Sequence, residues 1–163
     1  MNFLQINRLI MIFRKANIDD YSGISRLKEE IHKMHRDAEP YFFKATDNIL
    51  SLEYYEAELN RGGVFVLENE EELIGYMFIV IRDIVGNPVI KDQKILFIND
   101  LCILSNKRNK GYGKFMMDEI SNYGKTQKVT SIELEVWKFN ESAIDFYKNY
   151  GMRESRIKMR MEI

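Results

Sequence analysis

A strand-like run, Ile95–Leu104, passes through Arg108-Asn109-Lys110-Gly111-Tyr112-Gly113-Lys114 into a helix-like run, about Gly113–Lys125. No other stretch restricts the fold as much. A strand feeding a helix across a short turn calls for layers, with helices laid on the faces of a sheet. Two glycines one residue apart let backbone N–H groups turn inward and approach a ligand closely. A helix starting there adds its own unpaired N–H groups and a partial positive charge. Lys107, Arg108, Lys110 and Lys114 crowd the same loop. Such a turn suits a diphosphate. It is also compatible with a plain strand-to-helix turn carrying surface lysines.

The rest of the chain places this turn late in a longer order. Ile12–Lys15 reads as a first strand. Asp19 or Asp20 caps a helix to about Met34, with Ile24, Leu27, Ile31 and Met34 on one face. Pro40 cannot continue it. Thr46 or Asp47 caps a second helix that Gly62-Gly63 ends. The period then changes to two. Val64–Glu68 and Leu73–Arg82 read as a hairpin, and Gly86-Asn87-Pro88 turns the loop before Ile95–Leu104. After the glycine turn and its helix come a strand, Ser131–Trp137, and a helix, Glu141–Tyr150, stopped by Gly151. Ser155–Ile163 alternates and reads as a final strand. The predicted fold is α/β (α+β): a mixed, mostly antiparallel sheet of six to seven strands flanked by four helices.

At 163 residues the chain reads as one domain over 12–163, with residues 1–11 as an N-terminal extension and Met11 as an alternative start. A net charge of -1 gives nucleic acid and anionic membrane no global attraction, so the basic loop is local. One cysteine, Cys102, rules out a disulfide within the chain and points to a reducing cytoplasmic setting. No run approaches the roughly 18 apolar residues of a membrane span. Residues 1–11 lack the pattern of a signal peptide.

Two common nucleotide loops fit poorly. A Walker loop needs Ser or Thr after its lysine, and Phe115 follows Lys114. A dinucleotide fingerprint needs a third glycine where Met116 stands. A third pattern fits. The segment ILFINDLCILSNKRNKGYGKFMM resembles the acetyl-CoA-binding core of the GCN5-related N-acetyltransferase (GNAT) family, whose loop [QR]-x-x-G-x-[GA] is matched by Arg108, Gly111 and Gly113. The segment ELEVWKFNESAIDFYKNYGM resembles the next block of the same family. There Asn140, Ala143, Phe146-Tyr147 and Gly151-Met152 match. Two spaced motifs in the right order are more specific than either alone.

The resemblance implies a fourth strand that carries a bulge and splays from the fifth. Leu101, Cys102 and Ile103 would then line the pantetheine arm. One backbone N–H there would polarise the thioester carbonyl. Arg108, Asn109, Lys110, Gly111, Tyr112, Gly113 and Lys114 would hold the pyrophosphate. Asn140 and Ala143 would contact the cofactor arm, and Asn140 is in any case a good helix N-cap. Tyr147 matches the tyrosine commonly assigned as general acid. By periodicity alone it is core, on one face with Ala143, Phe146 and Tyr150.

Asp100 is the only acid in Ile95–Leu104 and is the candidate base. A charge in an apolar strand needs either a wet cleft or a basic partner. Asn99 stands where some relatives carry the acid, Ser105 where many have proline, and Asn109 where glycine is frequent. Asparagine tolerates left-handed geometry better than most residues. His32 and His35 read as a solvated helix face, or as neighbours of the acceptor cleft. No further ligands are spaced for a metal.

The reading is an acetyl-CoA-dependent N-acetyltransferase acting by direct transfer on a small-molecule or peptide amine, as monomer or homodimer, with neither nucleic acid nor membrane as partner and no metal. A non-catalytic acyl-CoA-binding sensor is the alternative. Acceptor, acyl-chain length and oligomeric state are not legible in the residues.

Overall fold

Val64–Leu67 is apolar at every position, and the fold uses all four residues. Val64 and Val66 point into one helical layer, Phe65 and Leu67 into the other. A strand covered on both faces needs no polar alternation. The structure is a computed structural model and describes residues 11–70, 72–161 and 163. The expected N-terminal extension lies outside these residues, except for Met11, which opens the first strand.

The strands are β1 (Met11–Lys15), β2 (Val64–Asn69), β3 (Glu72–Ile84), β4 (Gln93–Ile103) and β5 (Ser131–Leu134). They form one five-stranded sheet in the order β1-β2-β3-β4-β5. Neighbours are antiparallel except β4 and β5, which run parallel. Helices α1 (Tyr21–Ala38) and α2 (Leu52–Asn60) cover one face with Ile24, Leu27 and Tyr55. Helices α3 (Tyr112–Thr126) and α4 (Glu141–Tyr150) cover the other, with Met116, Met117 and Ile120 buried and Phe146 and Tyr150 packed against them. This is the predicted mixed, mostly antiparallel architecture with four helices.

One register change shapes the middle of the sheet. Phe78 pairs with Asp100 and Ile79 with Ile98, so Asn99 has no partner on β3. The extra residue is a bulge, and it reverses the alternation of side chains beyond it. Leu96 and Ile98 face α3 at even positions, whereas Leu101 and Ile103 face it at odd ones. Beyond the bulge β4 also loses its other neighbour. Pairing with β5 runs only from Ile95–Ser131 to Ile98–Leu134.

Three expectations need correction. Ser155–Ile163 forms no strand among its described residues, and Ile157, Met159 and Met161 are 83%, 86% and 82% exposed. Alternation makes a segment competent to pair, but a strand exists only where an edge accepts its backbone. Among the described residues the sheet therefore has five strands, not six or seven. The second helix is capped by Ser51, whose Oγ accepts the Tyr54 N–H at 3.2 Å. Thr46 instead accepts the Asn48 N–H at 3.1 Å in the preceding turn. The fifth strand ends at Leu134 rather than Trp137.

β1 and the entry to α1 are tied by charge. Arg14 donates to both oxygens of Asp20 at 2.8 Å and also pairs with Glu68 on β2. Asp20 Oδ2 accepts the Asn17 N–H at 2.8 Å as well, and the residue is 8% exposed. Burial raises the Asp20 carboxyl, but Arg14 and the Asn17 amide outweigh it and hold the group below its ordinary range. A depressed carboxyl stabilises the fold above its unfolded pKa, near 3.9, and that contribution is lost as pH falls through the folded value. We expect Asp20→Asn to cost about 1.5–3 kcal/mol at pH 7. In urea unfolding the gap between the two proteins should narrow steadily below pH 4.

Candidate functional site

The glycine turn is built as two separate devices. Gly111 sits at φ 86° and is the N-cap of α3, with no side-chain cap on its first turn among the described residues. Asn109 before it is also left-handed, at φ 60°. Gly113 serves packing instead. A Cβ there would meet the Phe146 ring of α4 at 3.2 Å. An uncapped helix start with left-handed residues leading into it is a ready cradle for an anion.

The loop cations are less available than their number implies. Lys107 pairs with Glu72 at 3.0 Å, and Lys114 with Asp118 at 2.8 Å. Arg108 donates through Nε to the Ile103 carbonyl at 2.9 Å and pairs with Glu30 of α1 at 3.0 Å. It is a strut between loop, β4 and α1. Lys110 alone of the four makes no ion pair among the described residues. The Tyr112 side chain turns into the core, 8% exposed, where its hydroxyl accepts the Asn69 amide at 3.1 Å. What this turn leaves available to a ligand is thus backbone amides more than side-chain charge.

From Asn99 to Ile103, β4 has β3 on one side and, among the described residues, no strand on the other. Leu101, Cys102 and Ile103 pair with Met77, Tyr76 and Gly75, and their outer backbone edge is open to a ligand. The Cys102 thiol is buried near the Leu27 carbonyl, 3.9 Å away. Burial, reinforced by the charge of Asp100, pushes it up to about 12, so it is no nucleophile.

Asp100 pairs with the Lys28 ammonium of α1, and its Oδ2 also accepts the Tyr76 hydroxyl at 3.0 Å. Lys28 lies over the rings of Tyr76 and Phe78 at 5.2 and 4.7 Å. The basic partner that a charge in an apolar strand needs is therefore Lys28. Oδ2 is held structurally, while Oδ1 makes no hydrogen bond to any described residue.

Tyr147 packs against the α3-side core, as periodicity predicts, and meets Phe146 edge-on at 5.2 Å. Its hydroxyl makes no hydrogen bond to any described residue. Burial and the charge of Asp100 push the phenol up to about 12, which keeps it protonated at neutral pH. Asn140 caps α4 by accepting the Ala143 N–H at 3.2 Å.

The histidines depart from the solvated-face reading. His32 donates Nε2–H to the Lys44 carbonyl at 2.8 Å. His35 is half-buried and stacked on Phe43, with centroids 5.1 Å apart. Burial lowers its pKa against the opposing pull of Asp100, so the ring is neutral at pH 7. Nothing in the spacing of two histidines three apart distinguishes this position. The signal lay in Phe42-Phe43, an aromatic pair in a segment that otherwise reads as a loop.

Fold and site together define an α/β protein in which two parallel strands stop pairing at a bulge, with an uncapped helix N-terminus following the first of them. The model of the acetyltransferase (GNAT) family matches residues 28–152, more than half of the chain, and the protein belongs to that family. Among solved structures, the tetramutant of the BH1408 protein from Bacillus halodurans matches with a TM-score of 0.88 at 29% identity, over 93% of this chain and 99% of that one. A predicted acetyltransferase from Clostridium acetobutylicum, solved with acetyl-CoA, matches at 0.67 and 21%, over 93% and 96% of the two chains. An aminoglycoside acetyltransferase, meta-AAC0020, from an uncultured soil metagenomic sample matches at 0.70 and 18%, over 95% and 97%. The last two are likenesses of fold. No curated protein matches the sequence.

Removing Lys28 leaves the carboxylate of Asp100 in a half-buried site without its cation. Lys28→Met should cost about 1–3 kcal/mol in urea unfolding. Asp100→Asn should cost less in that background than in the wild type, because the pair is already broken.

Proposed function

We propose that this protein is an acetyl-CoA-dependent N-acetyltransferase that moves an acetyl group directly to a primary amine. The observation that carries the reading is the open edge of β4 after the bulge at Asn99, with the uncapped amides of α3 beside it. The diphosphate of the carrier caps α3 at Gly111–Gly113. The pantetheine arm pairs with β4 along Leu101–Ile103. The residues present fit that molecule, since among the described residues the first-turn amides have no side-chain cap and the strand edge has no partner strand.

The neutral amine attacks the thioester carbonyl carbon. A C–N bond forms, the C–S bond breaks, and the sulfur leaves with the electron pair. Tyr147 gives the thiolate its proton, and the proton shed by the nitrogen passes to Asp100 Oδ1. The raised pKa of Tyr147 favours a protonated donor. The aminoglycoside acetyltransferase of similar fold supports an amine acceptor in general terms.

A second reading, a non-catalytic acyl-CoA sensor, rests on Asp100 itself. One of its oxygens is committed to Lys28 and Tyr76, and Asn99 stands exposed on the bulge. Amine-dependent thiol release separates the two, and buried Cys102 leaves that assay free of protein background. Tyr147→Phe should lower kcat by roughly a hundredfold, within the range of a positioned general acid. Acetyl-CoA affinity by calorimetry should stay nearly unchanged. Equal turnover in the variant would remove Tyr147 from the acid role.

A further inference from the structure

Five aromatic rings from three separate segments meet in one cluster. His35 comes from the last turn of α1, Phe42 and Phe43 from the connection to α2, Trp137 and Phe139 from the connection between β5 and α4. Trp137 meets Phe42 at 5.0 Å and Phe43 at 5.4 Å, both edge to face, and lies 5.9 Å from Phe139 in a stacked pair. His35 closes the ring by stacking on Phe43 and meeting Phe139 edge-on at 5.6 Å. None of the five belongs to either hydrophobic core. Phe42 is 53% exposed and the others are half-buried. A contiguous set of large rings kept at the surface marks a place where something apolar docks.

Their position ties them to the chemistry. His35 follows Lys28 by two turns on the same face of α1, and Lys28 pairs with Asp100, so the ring set lies on the helix face that carries the partner of Asp100. Two ion pairs border it. Asp100 is paired with Lys28, and Glu39 at the rim with Arg160, whose guanidinium lies 5.7 Å over Phe42. A polycation needs several unpaired carboxylates, and this cleft presents ring faces and edges with one partly free carboxylate.

Resting on the acetyltransferase reading above, we propose that the acceptor is a primary amine carried on an aromatic group, an arylalkylamine, whose ring packs among Phe43, Trp137 and Phe139 while its nitrogen points to Asp100. Ring-on-ring contacts of this geometry hold an aryl group more firmly than an alkyl chain of equal area. Neutral His35 adds a fourth flat surface without charge.

Two measurements test it. Thiol release with acetyl-CoA is compared for phenethylamine, hexylamine and spermidine. In parallel, phenethylamine is titrated against the fluorescence of Trp137, the only tryptophan, with CoA present. We expect phenethylamine to exceed both other amines at least tenfold in kcat/KM and to change the Trp137 emission saturably. Trp137→Leu and Phe43→Leu, both outside the cores, should each shrink the preference over hexylamine severalfold. Release with hexylamine or spermidine as good as with phenethylamine would overturn the aryl proposal and leave the transferase reading standing. Saturable binding of phenethylamine without release of thiol from any amine would retain the aromatic site and overturn the transferase reading. Neither binding nor release would overturn both.

Discussion

Asn99 is one residue more on β4 than β3 can pair, and the site depends on that surplus. A bulge shifts the pleat by one position, so every side chain after it changes face. Leu101 and Ile103 thereby join the core under α3, while Asp100 is aimed at Lys28 on α1. The same stretch is where β4 stops pairing with β5. Without the surplus residue, Leu101 and Ile103 would face the other layer, and Asp100 would lie in the apolar layer under α3. Core packing and the proposed chemistry therefore hang on a single register.

Charges in this protein serve mainly as struts. Arg108 links loop, strand and helix through Ile103 and Glu30, and Lys107 reaches Glu72 on β3. These pairs are partly exposed, so each contributes little to stability. Their value is positional, since they hold the turn that presents the amides of α3. Arg14 does the same for the first turn of the domain by joining Asp20 and Glu68. An anion at Gly111 is then met by oriented backbone dipoles, which need no rearrangement to receive it.

Much of the architecture was legible because its signals are local. Met116, Met117 and Ile120 repeat at helical spacing, and all three are buried. Asn140 and Gly151 bound α4 as an N-cap and a left-handed stop. Where local signals competed, the reading slipped. Thr46, Asp47 and Ser51 are all competent caps, and only packing of Leu50 and Tyr55 on the sheet selects Ser51. The alternating tail carries a strand pattern, but no edge in the described chain receives it.

The sequence by itself determined the order of elements, the strand–glycine–helix turn and the two motifs that define the family, because periodicity, capping and left-handed glycines act within a few residues. Tertiary structure alone decided which charges pair and which oxygen of Asp100 stays open. It also decided that His35, Phe43 and Trp137 meet. Contacts between segments so far apart in the chain are set by the register of the sheet and the seating of helices on it. No local pattern encodes them.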